Sequence, residues 1–173
     1  MQLSPAVERY VLHWGEMGTR WGTNRTVAQV HALLYLSPEP LRADQIVDAL
    51  SVARSNVSTS IRELQGFGLV KMTHVLGDRR DYFESLHDVW ELFRVILEQR
   101  KKRELNPTLS MLRTATEEVE QEPDTHPLIK ERMRNMLTFL ETTNQWYEQI
   151  QDVPTSTLTK LMKLGKSITK LVK

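Results

Sequence analysis

The chain has 173 residues, 40% hydrophobic and 26% charged, with 23 Lys and Arg against 22 Asp and Glu for a net charge of +1. That is the composition of an ordinary globular domain, or of a small domain with a helical extension. The near-neutral total points to neither a nucleic-acid nor a membrane binder, so any basic surface must be local. The absence of cysteine excludes disulfides, thiolate metal sites and cysteine nucleophiles. No run approaches the roughly 18 apolar residues of a membrane span. The opening MQLSPAVERYVLHWGEMG lacks the basic-then-apolar pattern of a secretory signal, so a cytoplasmic protein is expected.

Residues 5 to 20 follow a helical period, with Val7, Tyr10, Val11, Trp14 and Met17 on one face and Ser4-Pro5 as the start. Gly22-Thr23-Asn24 breaks the pattern. A second helix is predicted from Thr26 to Leu36, ended by Ser37-Pro38 and Pro40. A third covers Ala43 to Leu50, with Ile46, Val47 and Leu50 inward, and a fourth runs from Arg54 to Phe67, closed by Gly68. The period then changes. Leu69, Val70, Met72 and Val75 form a β-rich run, Gly77-Asp78 is turn chemistry, and residues 81–84 return as a strand. From Asp88 onward the chain reads as four helices: one to Glu104, one from Pro107 to Glu122, one from the Pro123–Pro127 break to Gln151, and one from Pro154 to the end. Residues 1–86 are expected to form one domain and 87–173 a helical linker and dimerisation region.

The fourth helix carries Ser55, Ser58, Thr59 and Ser60 in a short span, although small hydroxyl residues are mediocre helix formers. With Ser55 at zero, Val57, Ile61 and Leu64 fall at about 200, 240 and 180 degrees, a single apolar stripe. Thr59 and Arg62 fall with Ser55 on the opposite side, at about 40 and 340 degrees. Ser58 borders this face and Asn56 lies further round. The face lacks the Glu/Lys pairing of an ordinary solvated helix. Together with the short third helix and the tight Ser51-Val52-Ala53 connection, the pattern is a helix-turn-helix. Small polar side chains allow close approach to base edges, where Asn, Ser and Thr can bond bases or phosphates. Arg54 at the helix start can reach a phosphate or a guanine edge.

Between the strands, LGDRRDYF places Arg79 and Arg80 at the tip of a wing, where arginines can enter a narrow minor groove. Residues 51–80 hold Arg54, Arg62, Lys71, Arg79 and Arg80 against Glu63 and Asp78, a local excess of +3. The expected class is mainly α: a winged helix-turn-helix plus a helical dimerisation region.

Four stretches carry a family resemblance: WGTNRTVAQVHALLYL, SVARSNVSTSIRELQGFGLVK, GDRRDYFES and DVWELFRVILEQRKKRELNPTLSML. Residues 15–112 resemble the GbsR-like branch of the MarR superfamily, whose members are repressors tied to choline and glycine betaine metabolism. The resemblance implies a homodimeric repressor with one winged helix-turn-helix per protomer, dimerisation through terminal helices, and a pseudo-palindromic operator in double-stranded DNA. It also implies that Asp78 braces a DNA-inserting Arg80, and it admits a small-molecule effector. Related sequences often carry Ser at the recognition-helix cap, where this chain has Ala53. Losing such a cap costs about 1 kcal/mol unless Ser55 or Ser51 substitutes.

Other features read blandly. Gly165-Lys166-Ser167 lacks the earlier glycine of a phosphate loop, since residue 160 is Lys. His13, His31, His74, His87 and His126 have no metal spacing. No nucleophile motif or distinguished carboxylate pair appears, so neither an enzyme nor a cofactor is expected. Gly15, Gly18 and Gly22 suit helix packing and a C-cap. The last helix has Leu158, Leu161, Met162, Gly165, Ile168 and Val172 on one side, ringed by Lys160, Lys163, Lys166, Lys170 and Lys173. It reads as a dimerisation helix whose lysines are solvated or face acidic surface such as Glu117 to Asp124, in preference to a membrane-surface helix. Aromatic faces that could hold a quaternary ammonium are Trp14, Trp21, Tyr35 and Trp90, with Trp146 and Tyr147 further along. The alternative function is a protein-interaction module on a winged-helix scaffold that does not bind DNA.

Overall fold

In the computed structural model, which describes residues 3–165, helix α1 (Pro5–Arg20) begins at Ser4. The Ser4 hydroxyl accepts the Val7 amide at 3.4 Å, and Pro5 sits where its missing N–H would have had no helical partner. Helix α2 (Arg25–Leu36) begins at Asn24, whose Oδ1 accepts the Thr26 amide at 2.8 Å. The two helices approach closely because Gly15 and Gly18 carry no side chain. A Cβ on Gly18 would stand 2.4 Å from Ala28 Cβ, and one on Gly15 would stand 2.6 Å from Gln29 Cγ.

Helices α3 (Ala43–Leu50) and α4 (Arg54–Gly66) follow, then antiparallel strands β1 (Val70–Thr73) and β2 (Tyr82–Ser85). The register sets Lys71 opposite Glu84 and Thr73 opposite Tyr82. Leu41 adds an isolated bridge to β2 by exchanging two backbone hydrogen bonds with Phe83, at 2.9 and 2.8 Å. Val30, Leu33, Leu34, Ile46, Val57 and Leu64 are fully buried and form the centre of the core. Three helices closed by a hairpin on one edge make this a winged helix-turn-helix, as the periodicity predicts. The reversal differs from the expected Gly77-Asp78. It is a β-turn over residues 75–78, closed by the Asp78 amide on the Val75 carbonyl at 3.0 Å. Leu76 and Gly77 are its central residues, because the third turn position needs a positive φ and Gly77 supplies +84°.

Helix α5 (Val89–Arg100) is capped by Asp88, whose Oδ1 accepts the Trp90 and Glu91 amides at 2.8 and 2.9 Å. Its Leu92 is buried in the winged-helix core. The first compact unit accordingly spans Met1–Ile96 and the second Leu97–Lys173, dividing within α5.

In the second unit the predicted interruption before Pro107 is absent. A π-helical turn, Lys101–Leu105, carries the helix into α6 (Asn106–Gln121), with the Asn106 amide on the Lys101 carbonyl. Pro107 has no N–H and its ring would strike the carbonyl four residues back, so a locally widened turn accommodates it. Helix α7 (Pro127–Gln151) packs on α6, and α8 (Thr155–Leu164) follows. Among the described residues of this unit only Leu109, Thr116 and Val119 are buried. Lys166, Ser167, Ile168, Lys170, Val172 and Lys173 lie outside the described residues.

Candidate nucleic-acid interface

Helix α4 divides as its angles predict. Val57, Ile61 and Leu64 are buried, with Ser60 beside them. Arg54, Ser55, Asn56, Ser58, Thr59 and Arg62 are exposed. Arg62 donates from Nε to the Ser58 carbonyl at 3.4 Å, which lays its stem along the helix. The start of α4 has no side-chain cap. Ala53 holds the cap position, Ser51 closes α3 in the left-handed region at φ 51°, and Ser55 already lies inside the helix. The first amides therefore point outward with the positive end of the helix dipole, an arrangement that favours an anion.

Beside this helix, the wing holds an organised arginine. Arg80 donates from Nε to Asp78 Oδ1 at 2.8 Å and from its backbone amide to the same oxygen at 3.0 Å, while Nη2 reaches Oδ2. Tyr82 donates its hydroxyl to Asp78 Oδ2 at 2.8 Å. These donors, Arg80 first, hold the Asp78 carboxyl well below the usual carboxylate range, so it remains an anion. The pairing that the Asp-x-Arg motif implies is thus present, with a third member. Behind it, Arg42 makes a two-pronged pair with Asp44 at 2.9 and 3.2 Å, and its guanidinium lies 5.9 Å from the centre of the Tyr82 ring. Sequence reasoning missed Arg42, Asp44 and Tyr82. The alternation of Asp78, Arg80 and Tyr82 along one side of an extended segment was the available signal.

Lys71 pairs with Glu84 directly across the hairpin at 3.1 Å, yet keeps two thirds of its side chain exposed. Arg79 is exposed beside Arg80. Of the aromatic candidates, Trp14 stacks on Tyr10 at 5.6 Å and meets Trp21 edge-on at 6.1 Å. Tyr35 lies 6.4 Å from His87 and contributes to raising the Tyr10 hydroxyl pKa, whose main cause is burial. Trp90 meets Phe93 edge-on at 6.5 Å. The four rings are therefore spread along a row and a separate pair, not gathered around one cage. In the second unit, Tyr147 lies under the Lys101 ammonium at 5.4 Å, and Trp146 is exposed.

No family model matches the chain. It is 21% identical over 142 residues to the HTH-type transcriptional repressor GbsR of Bacillus subtilis (strain 168), across 80% of this chain and 78% of that protein. A crystal structure of a transcriptional regulator superposes with a TM-score of 0.64 at 19% identity, over 85% of this chain and 96% of that one. The structural likeness shows that the two chains share a fold, which the helices and hairpin described above identify as a winged helix-turn-helix. Both comparisons are to transcriptional regulators.

Proposed function

We propose that the chain is a sequence-specific, double-stranded-DNA-binding transcriptional regulator that acts as a homodimeric repressor of the GbsR-like type. The observation that carries this reading is the outer face of α4. Ser55, Asn56, Ser58, Thr59 and Arg62 are left uncovered while the apolar stripe of the same helix is packed. Two such helices, one per protomer, would enter successive major grooves of a pseudo-palindrome about 34 Å apart. The uncapped α4 start and Arg54 would take phosphates, the hydroxyl and amide groups of the outer face would read base edges, and Arg79 and Arg80 would enter the flanking minor groove. Lys71 would add a backbone contact at the wing's edge. The two regulator likenesses favour this reading over an enzyme and over a protein-interaction module. An effector of choline or betaine type is supported by the resemblance alone. It would act by favouring a spacing of the recognition helices that no longer matches successive grooves.

The test is fluorescence anisotropy with duplex from the region upstream of the chain's own gene, titrated with salt. Submicromolar binding that weakens steeply with salt is expected. Arg62→Ala and Arg80→Ala should each cost about 1–3 kcal/mol if they read bases, and a lost phosphate contact should lower the salt slope by about 1. Binding that the double variant leaves unchanged would refute the assignment of these contacts.

A further inference from the structure

The wing arginine could in principle be aimed by Asp78 alone, but the structure gives that carboxylate its own support. Asp78 sits in the connection between the strands, where the backbone has no ladder to hold it. Tyr82 is the first residue of β2, locked opposite Thr73, and its hydroxyl meets the Oδ2 that Arg80 Nη2 also reaches. Below the ring, Arg42 is fixed three ways. Its guanidinium makes two bonds to Asp44, its backbone amide donates to Gln45 Oε1 at 2.9 Å, and Leu41 before it is paired to Phe83. The chain of contacts runs from the N-terminus of α3 through Arg42 and Tyr82 to Asp78 and Arg80. Each cation has its own carboxylate, so Arg42 and Arg80 can stand near one another.

We infer that Tyr82, seated on Arg42, is a positioning residue for the wing: it fixes the carboxylate that aims Arg80, so the wing meets DNA with its arginine already oriented. The inference rests on the DNA-binding reading above. Its physical basis is preorganisation. A long side chain ordered before binding does not lose that freedom on binding. The hydroxyl touches no DNA in this scheme, so its removal should weaken affinity without changing the number of charges involved.

The experiment compares full-length wild type, Tyr82→Phe, Arg80→Ala and the double variant for binding to the upstream duplex across a salt series. Tyr82→Phe keeps the ring, and its thermal midpoint should match wild type. It should weaken binding about fivefold to tenfold with an unchanged salt slope, and the double variant should bind no more weakly than Arg80→Ala. In the free protein, the Arg80 Nε–H should give a protected NMR signal that broadens in Tyr82→Phe. Wild-type affinity in Tyr82→Phe, a loss that adds in full to that of Arg80→Ala, or an unaltered Arg80 signal would each overturn the inference while leaving DNA binding intact. A wild-type chain that binds no duplex would remove the DNA-binding reading and this inference with it.

Discussion

The two compact units differ in how many apolar side chains they bury. The winged-helix unit buries Val30, Leu33, Leu34, Ile46, Val57 and Leu64 completely within itself. In the second unit, α7 has no buried residue among its 25, and α8 has none. Met133, Leu137, Leu140 and Tyr147 on one side of α7 are half-buried, whereas Leu128, Met136, Phe139 and Trp146 are exposed. On a helical wheel Leu128, Phe139 and Trp146 fall within about 20 degrees of one another. Ile129 and Met136, also exposed, fall at about 100 and 80 degrees from Leu128 and join this stripe to the half-buried one, so α7 has one wide apolar face of which α6 covers only part. Both units leave large apolar side chains exposed, among them Leu76, Val89 and Phe93 in the first and Phe139 and Trp146 in the second. They differ in that the first also encloses a full core, and the open side of α7 is a surface through which the proposed homodimer would form.

Placing charge on the open side of α7 should produce the largest effect. Phe139→Asp combined with Trp146→Asp should weaken self-association at least about 100-fold, because buried aromatic anchors dominate interfaces. Light scattering should then report the 20.1 kDa monomer instead of twice that mass. A wild type that is already monomeric, or a variant that stays dimeric, would break the contrast between the units.

Overfilling the well-packed core of the winged-helix unit should come next. Gly18→Val should lower stability by about 1–3 kcal/mol in urea denaturation, because its Cβ meets Ala28. Gly66→Ala, which meets nothing within 4 Å, should not destabilise the protein. An effect of similar size should come from acid. His31 is buried in α2, its Nε2 has no hydrogen-bond partner among the described residues, and burial pushes its pKa down from 6.5 to about 4. The folded chain keeps this ring neutral while the unfolded chain protonates it, so the contribution is present above pH 6.5 and is lost as pH falls toward 4. Between pH 7 and 5 this amounts to about 2 kcal/mol, and denaturation of His31→Leu should show a shallower pH dependence. The smallest change should stabilise: Ala53→Ser supplies the missing α4 cap and should add about 1 kcal/mol to the winged-helix unit.

The sequence by itself determined the elements of the winged helix and the exposed face of α4. Caps, turn residues and helical periodicity act over a few residues, so Ser4, Gly68 and the Val57–Ile61–Leu64 stripe could be read without knowing what they touch. The sequence also placed Asp78 and Arg80 on the wing, through a motif confined to three residues. Only the tertiary structure decided that Tyr82 and Arg42 stand behind that arginine, since hairpin register and the Leu41–Phe83 bridge bring together residues far apart in the chain. The tertiary structure also decided how Pro107 is accommodated by a π turn and which part of the apolar face of α7 is covered. Periodicity marks a side chain as apolar, and packing alone settles whether the chain's own helices bury it.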